Sequence, residues 1–407
     1  MMKAVQYGAG NIGRGFMGQL FFQSGYEVVF VEVNKDVVNK LNEDRSYPIE
    51  IMSEYNPGEI IVKNVRAVDG TDIDRVSDEI ADADLMATAV GVNILPRIVK
   101  PIAAGLKKRW ERNNLKPLNI IICENLLNAD QYLAELLKGE LSEGERKLFD
   151  STIGLVEASI GRMVPVMTPE MQKGNILRVC VEEYCELPVD RNAFRGEIPN
   201  IVNMVPFSPF EFYIQRKLFI HNMGHALTAY LGYLRGYQYV WEANRNPYIK
   251  LLSSRAMQES AIALSLEHNV SLHKVLEHVE DLLFRFGNRY LGDTVERVGK
   301  DPIRKLSPND RLVGAAKLCL KHKIDPVYIS LGIAAAFYFN ISGDQYAEKL
   351  QGIIARDGIG AALREVCGLT EESPIWPTVA EFHKLLGEKT ELDAVLALAE
   401  KKKNLKK

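Results

Sequence analysis

Apolar positions along this chain fall into two textures. The first half carries short, uninterrupted apolar runs. Lys3-Ala-Val-Gln-Tyr7 stops at Gly8, and Glu27-Val-Val-Phe-Val31 runs into Glu32. Asp84-Leu-Met-Ala-Thr-Ala-Val90 ends at Gly91, and Leu118-Asn-Ile-Ile-Ile-Cys123 ends at Glu124-Asn125. Runs of that length without polar alternation predict strands buried on both faces. Between them Phe16, Leu20 and Phe21, and then Leu95, Ile98, Ile102 and Leu106, recur at helical spacing. Two further segments read as strands, 154–160 (continuing to Pro165) and 177–184. Strands alternating with helices predict an α/β fold with a doubly wound parallel sheet.

The texture changes over 188–209, where Pro188, Pro199, Pro206 and Pro209 interrupt regular structure. Beyond it the periodicity is helical, over 211–235, 248–268, 271–286, 308–322, 326–339, 343–356, 359–367 and 376–386. Ser307-Pro308 reads as a helix start, with serine as cap and proline in the first turn. A boundary near 195 is therefore expected, with an α/β domain over 1–195 and an all-α domain over 196–407. The lysine-rich tail Glu400–Lys407 reads as a solvated, frayed end.

Candidate chemistry sits on both textures. After the first strand, Gly8, Gly10 and Gly13 have the G-x-G-x-x-G spacing, with Asn11 and Ile12 inside it. Gly8 permits a tight turn, Gly10 permits close backbone approach to a pyrophosphate, and Gly13 permits close helix–strand packing. The diphosphate is expected at the helix N-terminus, where unpaired N–H groups point out. Glu32 ends the second strand, where a carboxylate can bind both ribose hydroxyls and repel a 2′-phosphate. The motif predicts a Rossmann-type domain that binds NAD rather than NADP. Thr88, Val90 and Gly91, and Asn125 with Glu124, lie at strand ends where such a sheet places its ligand. Glu124-Asn125 reads equally well as the cap of the next helix.

In the second half, Lys217-Leu-Phe-Ile-His-Asn-Met-Gly-His225 places Lys217, His221, His225 and Thr228 in one sector of roughly 80°, at about 100° per residue. Asn222 falls at the edge of that sector. The face collects nitrogen groups and no carboxylate, unlike a solvated face with mixed charges. A lysine beside apolar residues and a second cation loses affinity for its proton, and such a lysine can exchange protons with an alcohol or alkoxide. Asparagine and histidine can hold the same oxygen. Periodicity alone favours an ordinary amphipathic helix with two histidines exposed. Arg304-Lys305, ahead of the helix start at Ser307-Pro308, reads as an anion site or as a basic loop balanced by Asp301 and Asp310.

The 407 residues allow two or three domains. A net charge of −3 and the lack of a basic, aromatic-studded stripe argue against nucleic acid. No apolar run has the length of a membrane span. Cys123, Cys180, Cys185, Cys319 and Cys367 are scattered and odd in number, as expected for reduced thiols in the cytoplasm. A first strand at Lys3 leads us to expect no secretory leader. No zinc-type spacing occurs, so no metal is expected. The expected partner is a small molecule, and the chain is expected to be a monomer or weak homo-oligomer.

The set Lys217, Asn222 and His225 forms K-x4-N-x2-H, and the chain resembles the polyol-specific long-chain dehydrogenases that carry it. Matching stretches are Gly8–Gly15, Thr88–Gly91, Cys123–Asn125, Lys217–Phe219, Gly224–Ala226, Thr228–Gly232, Val295–Gly299, Arg304–Ser307 and Asp310–Leu312. The resemblance runs from residue 3 to about 340. It implies reversible, metal-independent oxidation of a secondary hydroxyl with NAD. Lys217 is then the general acid and base, and Asn222 and His225 hold the reacting oxygen. A glycine motif near residue 1, together with Arg304-Lys305, points to the branch that acts on a hexitol phosphate, with Arg304, Lys305 and Glu124 on the substrate. The alternatives are an unphosphorylated polyol or a hexuronate, or an NAD(H)-binding sensor without catalysis. The chain departs from that branch at Gly161, before Arg162-Met-Val-Pro165, and after Pro165.

Overall fold

Residues 1–165 and 167–404 are described by the computed structural model. The apolar runs form strands of one parallel six-stranded sheet. In chain order the strands of the first unit are β1 (Lys3–Tyr7), β2 (Glu27–Glu32), β3 (Ser46–Ile51), β4 (Gly58–Lys63), β5 (Val65–Asp69), β6 (Leu85–Thr88), β7 (Leu118–Ile122), β8 (Ile153–Glu157), β9 (Val179–Val181), β10 (Leu187–Asp190) and β11 (Met204–Phe207). The sheet order is β5-β2-β1-β6-β7-β8. Counting only these six strands, this is 3-2-1-4-5-6, the doubly wound dinucleotide-binding order.

Both faces of the sheet are buried, which is why its strands read as unbroken apolar runs. Val5, Tyr7, Val29, Val31, Ile120 and Ile122 enter one core, with the helices Ile73–Ala81 and Leu95–Glu111. Their neighbours Ala4, Val28, Phe30 and Ile121 enter the other. A two-residue side-chain period therefore divides each strand between two cores.

Three features differ from the sequence reading. β5, V-R-A-V-D, is interrupted by Arg66 instead of running apolar, and it forms the sheet edge. A second sheet, β4-β3-β9, was not expected, because β3 contains Pro48 and β4 is largely exposed. The chain divides between Phe210 and Glu211, later than 195. The reason is β11, which returns to pair in parallel with β10 and so keeps the proline-rich segment in the first unit.

The second unit, Glu211–Lys407, is helical. At its centre, Met223–Leu234 packs against Val240–Arg245, Pro247–His268, Val295–Gly299 and Val327–Ala336. All ten residues of Val327–Ala336 are buried, as are most of Met223–Leu234. A helix apolar all round belongs inside a core, so the segment after Asn222 is not the amphipathic surface helix that its periodicity suggested. Two other readings change. The helix expected from 308 begins at Val313, after a run of turns over 306–312. The tail forms a helix, Leu392–Asn404, rather than a frayed end; residues 405–407 lie outside the described residues.

Candidate active site

In the first unit the glycine motif lies at the switch point of the sheet, between β1 and β6. Gly8 has φ +91°, and a Cβ there would meet the Ala89 carbonyl oxygen at 2.6 Å. A Cβ on Gly13 would lie 2.0 Å from the Gly8 carbonyl oxygen. Gly10 differs: a Cβ there meets nothing within 4 Å, and the residue is exposed. The two flanking glycines are thus required by the protein's own packing, and Gly10 leaves open space beside the backbone. Asn11 and Ile12 begin the helix, which runs as a π-helix over Gly13–Gly18.

Glu32 turns back onto this loop. One carboxylate oxygen accepts from Ala9 N at 3.0 Å, and the other accepts from Val33 N at 2.8 Å and Asn34 N at 3.0 Å. The carboxylate is therefore held beside the glycine turn, where an adenosine ribose would lie. Open space at Gly10, crowding at Gly8 and Gly13, and a fixed carboxylate at the second strand end together fit a dinucleotide.

The strand-end residues have a different arrangement from the one expected. Glu124 is buried; its two oxygens accept from the Thr88 hydroxyl at 2.6 Å and from Val90 N at 2.9 Å. It braces the turn after β6, with each oxygen engaged within the protein. Thr88 is fully buried with its hydroxyl turned to Glu124, so it supports this turn rather than facing a ligand. Gly91, with φ +89°, and Asn125 are exposed at the strand ends. Arg162 is also structural. It donates to the Glu182 carbonyl at 2.8 Å, the Gly15 carbonyl at 2.9 Å and Gln19 Oε1 at 2.7 Å. The departure at Gly161 thus sits beside a clamp on the glycine-motif helix; Val166 lies outside the described residues.

In the second unit, Lys217–Asn222 is a π-helix between α-helical segments. At about 100° per residue, positions five apart on an α-helix face roughly 140° away from each other. A π-turn closes from i to i+5, so the fifth residue stands over the first. The turn therefore explains the K-x4-N spacing and places Asn222 beside Lys217 instead of at the edge of a sector. It also removes Thr228 from the wall: Thr228 is buried and bonds the Gly224 carbonyl at 2.8 Å and Ser253 Oγ at 2.9 Å.

Burial, followed by the like charge of Arg311, lowers the Lys217 pKa to about 8. Arg311 belongs to the matching stretch Asp310–Leu312, yet no motif assigns it a role. The Asn222 side chain makes no hydrogen bond among the described residues, so its amide is available. His225 Nε2 lies 3.3 Å from Asp293 Oδ2, and its ring stacks on Phe286 with centroids 4.8 Å apart. His221 is buried, and its pKa is pushed well below the usual range, first by burial and then by Arg285, His225, His278 and Lys217. It remains a neutral wall residue.

Arg304 and Lys305 part company. They end the short helix Pro302–Lys305 instead of preceding a helix. Arg304 is exposed and paired with Asp301 at 2.9 Å. Lys305 is 5% exposed, and no hydrogen bond or ion pair reaches its ammonium among the described residues. Burial first, then Arg311 and Arg304, lower its pKa to about 7. Of the expected anion pair, Lys305 alone is buried and unpaired. Among the described residues, no group of three or more His, Cys, Asp or Glu is gathered as metal ligands are, and no helix is long and apolar enough to cross a membrane.

Comparison with known proteins covers both units. Residues 2–203 match the mannitol dehydrogenase Rossmann domain, and residues 210–406 match the mannitol dehydrogenase C-terminal domain. A mannitol-1-phosphate 5-dehydrogenase of Thermoanaerobacter pseudethanolicus is 39% identical over 391 residues, covering 95% of this chain and 99% of the relative. A protein of the same name from Bacillus subtilis is 38% identical over 374 residues, covering 92% and 97%. Among solved structures, a substrate-free D-sorbitol dehydrogenase aligns with TM-score 0.80 at 14% identity, over 95% of this chain and 94% of that one. The mannitol 2-dehydrogenase of Pseudomonas fluorescens, in complex with NAD and D-mannitol, aligns with TM-score 0.72 at 14% identity, over 98% and 94%. At that identity, these two likenesses bear on the fold alone.

Proposed function

Because the chain belongs to the mannitol dehydrogenase family, we propose that it oxidises D-mannitol 1-phosphate to D-fructose 6-phosphate, reversibly, with NAD and without a metal. The observation that carries this reading is Lys217, held on a π-turn with a pKa of about 8. The relatives named for that reaction support the substrate, since they match over nearly their whole length.

In the direction of oxidation, neutral Lys217 takes the proton of the secondary hydroxyl through Nζ. The Asn222 amide holds the same oxygen as its negative charge develops, and His225 orients the substrate beside it. NAD, when bound, supplies the acceptor for the hydride that leaves the substrate carbon. Glu32 and the turn at Gly8, Gly10 and Gly13 hold the dinucleotide and orient its adenosine end. In the reverse direction, the Lys217 ammonium returns the proton to the forming alcohol. The balance is one proton released for each hydroxyl oxidised. Lys305 is the phosphate anchor: a buried ammonium without a counter-ion is stabilised by an anion.

The test is NADH oxidation with fructose 6-phosphate and with fructose, side by side near neutral pH with a chelator present. Turnover of the phosphate ester, with fructose at least about 100-fold poorer in kcat/KM, is expected; that is about 2.7 kcal/mol. Equal turnover of both sugars overturns the phosphate reading. Turnover of neither sugar, with NADH still bound, overturns the substrate and directs the search to hexuronates.

A further inference from the structure

The His225 ring is fixed in two ways. Phe286 stacks on it with only 12° between the ring planes, which sets the plane. The Asp293 carboxylate, 3.3 Å from Nε2, sets the rotation within that plane. Both side chains of the pair are largely buried, at 15% and 14% exposed, so solvent screens the contact little.

The local sequence holds Asp293 firmly. Asn288 caps the turn before it, accepting from Tyr290 N at 3.1 Å, and Gly292 takes the left-handed conformation at φ 63°. The Asp293 carbonyl accepts from Val240 N at 2.9 Å, and Thr294 bridges to Tyr239. Thr294 Oγ1 then caps the next helix, accepting from Arg297 N at 3.1 Å. Arg297 reaches back and binds Asp293 Oδ1. Oδ1 therefore faces Arg297, and Oδ2 faces His225. Burial works to raise the Asp293 pKa, but His225 and Arg297 outweigh it and hold the carboxyl below its usual range. The group is ionised near neutrality and can only accept hydrogen bonds.

We propose that Asp293 is a positioning residue for the reaction: it binds the Nε2–H of His225, fixes that tautomer, and leaves Nδ1 as the nitrogen that accepts from a substrate hydroxyl. The hydrogen bond at one ring nitrogen decides the state of the other. The inference deepens the proposed reaction and rests on His225 contacting substrate there. It also divides the labour. Nδ1 of His225 orients a neighbouring substrate hydroxyl as an acceptor, and stabilisation of the developing negative charge falls to the Asn222 amide. Among the described residues, the titratable groups in contact with the ring are His221, at 6.1 Å between ring centroids, and Asp293. Asp293 is the carboxylate among them.

Asp293→Asn tests this, because an amide can donate to Nε2 and invert the tautomer. The first readout needs no turnover: imidazole 15N shifts of the full chain, with the His225 signal assigned by its loss in His225→Ala. Wild type is expected to carry the proton on Nε2 with Nδ1 bare, and Asp293→Asn to shift that pattern. A wild-type ring protonated on Nδ1 alone overturns the proposal. The second readout is a double-mutant cycle. Asp293→Asn is expected to lower kcat/KM about 100-fold with NADH affinity unchanged. In the His225→Ala background it is expected to cost almost nothing more. An equal cost in both backgrounds, with a lowered melting temperature, makes Asp293 a mere support of its loop and overturns the proposal. If His225→Ala alone leaves activity intact, the substrate-orienting role of His225 in the proposed reaction fails, and the 15N shifts still decide what Asp293 does.

Discussion

Gly10 and Gly13 stand three positions apart in one motif and answer to different constraints. An alanine at Gly13 drives its methyl into the Gly8 carbonyl oxygen, which belongs to backbone and cannot swing aside. Gly13→Ala is expected to destabilise the first unit by about 1–3 kcal/mol, read as a lowered melting temperature. Gly10→Ala meets no protein atom. Its melting temperature is expected to stay at the wild-type value while the NADH Kd rises about tenfold, by titration of nucleotide fluorescence. Unchanged NADH affinity in Gly10→Ala would remove the diphosphate from that side of the loop. Lys217 gives a residue-scale prediction of another kind. Alcohol oxidation needs the neutral amine, so its rate rises with pH and levels off above about 8; ketone reduction needs the ammonium and falls as pH rises through the same value. Arg311 lowers that pKa by like charge. Arg311→Met is therefore expected to move both profiles to higher pH, whereas coincident wild-type and variant profiles would exclude the electrostatic coupling. Lys217→Ala is expected to lower turnover at least about 100-fold with little change in NADH affinity.

The C-terminal helix shows how one element secures another. Val327–Ala336 starts at Pro326 with no side-chain cap of its own. Glu259, from Pro247–His268, supplies the missing acceptor, bonding Tyr328 N and Ile329 N at 3.1 Å each. Lys403 of Leu392–Asn404 then neutralises the carboxylate at 2.6 Å. Burial raises the Glu259 pKa to about 7, with Lys403 opposing the rise. A pKa raised on folding gives a contribution that is complete below the unfolded value and fades as pH rises through the folded one. Removing Lys403 raises the folded value further. The stability deficit of Lys403→Met is thus expected to be small in mild acid and to grow to about 1–3 kcal/mol above neutrality, read from melting temperatures across pH. A deficit independent of pH would mean that lost packing, not charge, is responsible. Nothing in the tail announced this: Glu400–Lys407 is a run of lysines, and the partner that orders it lies on a distant helix. The π-turn was hidden for a different reason. A reading at 100° per residue assumes an α-helix, and the five-residue spacing of Lys217 and Asn222 was the available sign that it was not one. By contrast β1, β2, β6 and β7 were legible because a strand buried on both faces must be apolar throughout. Asp293 and Arg311 were not, since loops bring them to a helix with which they share no periodicity.

At the scale of the whole molecule, the proposed reaction draws on two units, each with its own core. Glu32 and the glycine turn are fixed by the parallel sheet. Lys217, His225 and Lys305 are fixed by packed helices, and Asp293 by the turn ahead of Val295–Gly299. Nucleotide choice and sugar choice should then be separable in mutants. Glu32→Ser removes the carboxylate that disfavours a 2′-phosphate, and with it three backbone hydrogen bonds. It is expected to weaken NADH and to narrow the preference over NADPH by at least about tenfold, with KM for fructose 6-phosphate little changed. Lys305→Met keeps the length of a buried side chain and removes its charge. It is expected to raise KM for the phosphate ester about tenfold or more, to leave fructose turnover unaltered, and to leave NADH affinity where it was. Effects held in separate cores with no shared partner add within about 0.5 kcal/mol. The double variant should therefore show the product of the two losses in kcat/KM. A product missed by tenfold or more would mean that nucleotide and sugar are sensed together, and that the two cores respond to substrate as one body.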